Sequence, residues 1–166
     1  MKKIIIALFA VLGVATSVSA QKFGHVDTQA IMQSLPEVTK ANGELQATAQ
    51  QYENELKTMQ DEIQRKAEEY DKQKATMNAT QQQAAEQDLQ TLYNKLQEAY
   101  QQNQQNIQKK QEELMAPITN KIKTAIQNVG KAGQYTYIIE SALPLYIGAS
   151  STDVTNAVKA EINKIK

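Results

Sequence analysis

The chain has 166 residues, with 18 basic and 18 acidic side chains, one histidine and no cysteine. That balance excludes the concentrated positive field by which a protein recognises nucleic acid or an anionic membrane surface. The missing cysteines exclude both a disulfide framework and a lipid-modified N-terminal cysteine, which leaves packing and assembly to stabilise the fold.

Residues 1–20 open with Lys2 and Lys3, continue through an apolar run from Ile4 to Val14, and close on Val18, Ser19 and Ala20. A charged start, an apolar centre and a small-residue exit form the grammar of a cleaved secretory signal. A retained anchor needs about 20 apolar residues, and Thr16, Ser17 and Ser19 interrupt this run before that length. The mature chain is expected to begin at Gln21. Removal of Lys2 and Lys3 leaves 16 basic against 18 acidic groups, a nearly neutral product with no stable membrane insertion.

Lys22 to Asp27 reads as a short strand, followed by a turn of helix through Ala30, Ile31 and Leu35. Ser34 with Glu37 has the spacing of a capping box, with Pro36 in the first turn, where its missing N–H is tolerated. A long helix should start there.

From Glu44 to Ala116 there is no glycine and no proline. Val38, Leu45, Tyr52 and Met59 fall seven apart, and Ala49, Leu56, Ile63, Tyr70 and Met77 form a second series offset by four. Leu89 and Leu96 begin a returning seam, with Tyr93, Tyr100, Ile107 and Leu114 as its second series. Such pairs of series are the a and d positions of a coiled coil. Between them lies Thr76-Met77-Asn78-Ala79-Thr80, where Asn and Thr favour caps over helix interiors, and Thr80 with Gln83 fits a further capping box. The expected structure is an antiparallel helical hairpin over residues 36–116 with its tip near Asn78; one straight helix is the alternative. Lys66, Asn103 and Lys110 occupy seam positions, so the coiled coil should be loose.

Pro117 interrupts the returning helix and is a candidate hinge. An apolar face resumes at Ile118, Ile122, Ala125, Ile126 and Val129, and Gly130 and Gly133 end the helix. Tyr135 to Ile139 is strongly β-prone, and Leu143 to Ile147 reads as another strand with Pro144 near its start. Ser150 and Asp153 then signal a final helix bearing Val154, Ala157, Val158, Ile162 and Ile165. The fold class is therefore α+β, mostly α: a coiled-coil arm on a small β-rich body made of residues 21–35 and 117–166.

A body of that size is too small for a comfortable core, and its three short strands leave edges open. Pairing with copies of itself answers both problems. Phe23, Val26, Ile138, Ile139, Leu145 and Ile147 are the candidate oligomerisation residues.

Catalytic signals are weak. His25 is alone with Asp27 on its strand face, too few ligands for a catalytic metal, and no nucleophile motif or phosphate loop occurs. No enzyme activity, metal or cofactor is expected. Tyr52, Tyr70, Tyr93 and Tyr100 fall on the seam series and should pack one helix on the other, although on a breathing hairpin their rings could meet a partner.

Taken in order, the signal, Phe23-Gly24-His25-Val26-Asp27, Leu35-Pro36-Glu37, Pro117-Ile118, Gln134 to Glu140 and Thr152-Asp153-Val154-Thr155 resemble the OmpH/Skp periplasmic chaperones. The resemblance covers the whole mature chain. It implies a soluble periplasmic homotrimer with three tentacles around a cavity, an ATP-independent holdase that shields unfolded outer-membrane proteins before their insertion. This chain departs from its strongly basic relatives in being nearly neutral, which weighs against lipopolysaccharide as a ligand. A structural coiled-coil spacer of the cell envelope is the alternative function.

Overall fold

The structure, a computed structural model, describes residues 21–165; the expected signal segment at 1–20 lies outside them. In chain order the elements are strand β1 (Lys22–Val26), helix α1 (Thr28–Ser34), helix α2 (Pro36–Gln73), a 3₁₀ turn (Lys74–Thr76), helix α3 (Ala79–Ala132), β2 (Tyr135–Glu140), β3 (Thr152–Asp153) and helix α4 (Thr155–Ile162).

The sheet has the order β2-β1-β3 and both pairings are parallel. Parallel neighbours need a long crossover, and between β1 and β2 the crossover is the entire helical arm. Its two helices run antiparallel, as their cross-pairs record. Lys121 reaches Glu37 at 3.0 Å, Lys110 reaches Glu44 at 3.7 Å, Lys66 pairs with Asp88, and Tyr70 bonds Glu86. As one partner's number rises the other's falls. At about 1.5 Å per residue the 38 residues of α2 span about 57 Å.

The reversal is made by Lys74–Thr76 and the extended Met77 and Asn78. Asn78, not Thr80, carries the cap: its side chain accepts from the Gln81 N–H at 2.9 Å, and the Gln81 side chain accepts from the Asn78 N–H at 3.0 Å. The other two expected boxes are also replaced. Leu35 stands at the N-cap of α2 without a side-chain bond, while the Ser34 hydroxyl donates to the Ile31 carbonyl and Glu37 turns to Lys121. Pro36 removes one of the orphan donors that a cap would have served, so the helix starts without one. Val154 precedes α4, and Asp153 accepts from the Thr155 N–H.

One strand was misplaced by the sequence pattern. Leu143–Ile147 belongs to an irregular connection, and the third strand is Thr152–Asp153, paired with Gly24 and His25. The geometry requires this. A strand parallel to β2 must begin at the sheet end where β2 began, so the eleven residues after Glu140 are needed to travel back.

The core lies in the body and the first turns of the arm, and draws on both chain ends. Ile31, Val158 and Ile162 are its fully enclosed large side chains, with Val26, Leu35, Ala41, Ile118, Ile122, Ala125 and Val154 around them. Helix α3 passes from arm to body without a break, carrying Pro117 inside it, in contrast to the expected interruption. Gly130 is likewise helical, and the helix ends at Ala132.

Candidate functional site

Among the described residues, exposed large apolar side chains lie on the outer face of the sheet, in the connection after β2 and along the arm. On β1 the burial alternates, with Gly24 and Val26 turned into the core. Gly24 sits so near β2 that an added Cβ would press within 3.2 Å of Ile138 and Tyr135. Phe23 and its ladder partner Tyr137 therefore share the opposite face, where their rings stack with centroids 6.3 Å apart and 6° between planes. Ile139 continues that face, and the connection beyond β2 adds Leu143, Leu145 and Tyr146, which are 77%, 107% and 84% exposed. Large apolar side chains left exposed in this number mark a candidate interaction site.

Of the six residues read as oligomerisation contacts, Phe23 and Ile139 are exposed on the outer sheet face, Leu145 is exposed in the connection after β2, and Ile147 is half-buried. Val26 is only 3% exposed and Ile138 packs on the core, so both serve their own chain. Consecutive residues of a strand point to opposite faces, so Ile138 and Ile139 could not both have been outward. The same period of two puts Tyr137, not among the six, on the outward side with Ile139.

His25 stands beside this surface. Its Nδ1 lies 2.9 Å from the Ser151 Oγ, and Asp153 is its ladder partner. The Asp153 carboxyl is held below its ordinary range chiefly by hydrogen bonding to Thr155, with His25 a minor influence. A nucleophile and base need the third group on the other ring nitrogen; here the carboxylate is engaged with the Thr155 N–H at 2.8 Å. Asp27, expected to share the His25 face, instead caps α1 by accepting from the Ala30 N–H at 2.7 Å. Among the described residues no three His, Cys, Asp or Glu side chains converge as a metal site.

The arm's seam is thin. Ala41, Ile63 and Tyr70 are its buried residues on α2, and Asn103 its buried residue on the arm part of α3. The Asn103 Nδ2 is enclosed without a hydrogen-bond partner. Tyr70 donates to Glu86, and that bond, helped by desolvation, pushes its phenol up to about 12. Lys66, also a seam residue, is raised by its pairing with Asp88.

The tyrosines divide. Tyr70 is buried and Tyr52 half-buried, whereas Tyr93 and Tyr100 are 52% and 56% exposed. The returning seam runs through Leu92 and Ala99, each partly covered, one residue before each tyrosine. One step along a helix rotates the side chain by about 100°, which carries both rings out of the seam. At the arm's base a trough of about 530 Å³ is lined by Ala41, Leu114, Pro117, Ile118 and Ile165 among others, so the candidate hinge borders a partly open apolar cleft.

Comparison with known proteins adds the following. The family profile described as "Outer membrane protein (OmpH-like)" matches residues 22–162. A crystal structure from Caulobacter crescentus CB15, of a candidate outer membrane chaperone described as OmpH-like, superposes with a TM-score of 0.76. The two chains are 18% identical, over 87% of this chain and 85% of that one. At that identity the likeness concerns the fold. No curated protein matches the chain.

Proposed function

This chain belongs to the OmpH-like outer membrane protein family, and from that membership we propose that it is an ATP-independent periplasmic holdase. It binds unfolded outer-membrane proteins and prevents their aggregation before insertion. Residues 1–20 direct its export, and the working unit is a homotrimer joined through the outer sheet faces. No helix among the described residues is long and apolar enough to cross a membrane.

The observation that carries this reading is the unequal division of the molecule. Packing is concentrated in the body, while a two-helix arm extends for tens of ångströms with little core of its own. An arm of that kind offers many weak contacts to a partner without fixed shape, and three arms on one body convert weak contacts into affinity. The exposed Phe23, Tyr137, Ile139 and Leu145 support the self-association. Pro117 lies where arm meets body and serves as the hinge that adapts the arms to clients of different size.

The test is suppression of aggregation when a urea-unfolded β-barrel protein is diluted into buffer. Protection at one trimer per client, unchanged by ATP, is the expected result. Absence of protection, with the arms still folded, would favour the structural spacer instead.

A further inference from the structure

Along α3 the residues Gln90, Tyr93, Gln97, Tyr100, Gln104, Gln108 and Gln111 follow one another at steps of three or four, and every one is exposed. They form a single stripe with no charged side chain, about 32 Å long at 1.5 Å per residue. Elsewhere on the same helix Lys95, Glu98, Lys109 and Glu112 present an ordinary charged surface. The middle of the stripe is a shallow trough of about 630 Å³ bordered by Gln60, Tyr93, Leu96, Gln97, Tyr100, Gln101 and Gln104. The neighbouring trough toward the tip, which Tyr93 and Leu96 also border, includes Glu68 and Asp71 of α2, so the neutral zone runs from Tyr93 toward the body.

We infer that this aromatic–amide stripe on α3 is a docking surface for extended, uncharged polypeptide. The inference rests on the holdase reading and names the chemistry of the client it holds. A primary amide has two donors and an acceptor with two lone pairs. A row of glutamines can therefore pair with the backbone N–H and C=O groups of any extended strand, whatever its side chains. Tyr93 and Tyr100, two turns apart, supply apolar faces with polar tips at a spacing of about 10 Å, which an extended chain covers in about three residues. From Tyr93 toward the body the trough is bordered by uncharged side chains alone, so nothing along that length selects an acidic or basic segment. The neutral occupant is the one it complements, and the nearly balanced whole-chain charge agrees. Alternating apolar and small polar residues, as in the strands of a barrel, fit this chemistry.

The experiment uses the full-length oligomer and a fluorescently labelled, urea-unfolded β-barrel protein, with three variants. Tyr93→Ala with Tyr100→Ala removes the rings from exposed positions, where alanine favours the helix. Gln97→Glu with Gln104→Glu places charge in the stripe, and Lys95→Gln with Glu98→Gln is the control on the charged face. The expected result is about tenfold weaker binding for the tyrosine pair, a similar loss for the glutamate pair, and no change for the control. Circular dichroism checks that helix content is kept. Wild-type affinity should change less than about twofold between low and high salt, because screening acts on charges. If the wild type holds the client but both stripe variants match it, the inference is overturned and the holdase reading stands. If the wild type does not hold the client, the holdase reading itself fails. Unchanged client binding combined with lost retention on neutral polysaccharide beads would overturn the assignment in favour of a glycan platform.

Discussion

At Gln134 the backbone adopts φ of 53°, the left-handed region, directly after the end of α3. The sequence draws the eye to Gly133 instead, because glycine commonly ends a helix in that conformation. Gly133 is needed for another reason: an added Cβ would sit 2.4 Å from the Tyr135 ring. The left-handed position thus falls to a residue with a Cβ, at about 1 kcal/mol. Gln134→Gly should raise stability by about 0.5–1 kcal/mol, with part of the gain returned as unfolded-chain entropy. A thermal melt reads it, and an unchanged or lowered midpoint would contradict the strain. Asn103 is a second misfit, a polar side chain enclosed in the seam with its Nδ2 unpaired. Asn103→Leu should stabilise the chain by about 1–2 kcal/mol in urea titration. The sequence marked Asn103 as a polar seam residue, but only the packing tells whether its amide finds a partner.

The arm shows what a heptad reading can and cannot settle. Leu89 and Leu96 fixed one series of the returning helix correctly, but the second was placed on Tyr93 and Tyr100 when it runs through Leu92 and Ala99. Offsets of three and four are both allowed in a coiled coil, so the pattern alone admits either the aromatic or the aliphatic set. Near the tip, Tyr70 and Lys66 of α2 both bond acidic groups of α3. Both pKa values are raised above their ordinary positions by these bonds. A raised value means the stabilisation is complete at lower pH and is lost as pH climbs; for Tyr70 the loss spans 10.0 to about 12. Helicity melts of wild type and Tyr70→Phe should therefore differ at pH 9 and converge near pH 12. A gap that persists to pH 12 would remove the phenol from the tip's cohesion. At the other end, Pro117 deprives the Glu113 carbonyl of its helical donor. Pro117→Ala should stiffen the junction and narrow the distribution of distances between spin labels placed at the tip and on the body. An unchanged distribution would leave Pro117 without a hinge role.

Across the whole molecule, the order of strand, long hairpin, strand and closing helix was legible because each depends on local signals: period two, period seven, and the Asn-Thr cluster at the turn. The third strand was not, since Leu143–Ile147 has strand composition and only the parallel topology excludes it. The body's exposed face was half legible, through residue types but not through alternation. Its role is tested by Ile139→Asp, which should disperse the oligomer in sedimentation without unfolding the subunit, because Ile139 is already 43% exposed within one chain. An unchanged assembly would exclude this face from the joint. The parallel pairing of Lys22–Val26 with Tyr135–Glu140 has a temporal consequence as well. While the polypeptide is being made, its opening strand must wait, both edges bare, until more than a hundred further residues have arrived. The hairpin can zip early on local contacts, but the clasp at its root closes last, and a nascent chain halted before residue 135 would dangle a finished limb from an unformed shoulder.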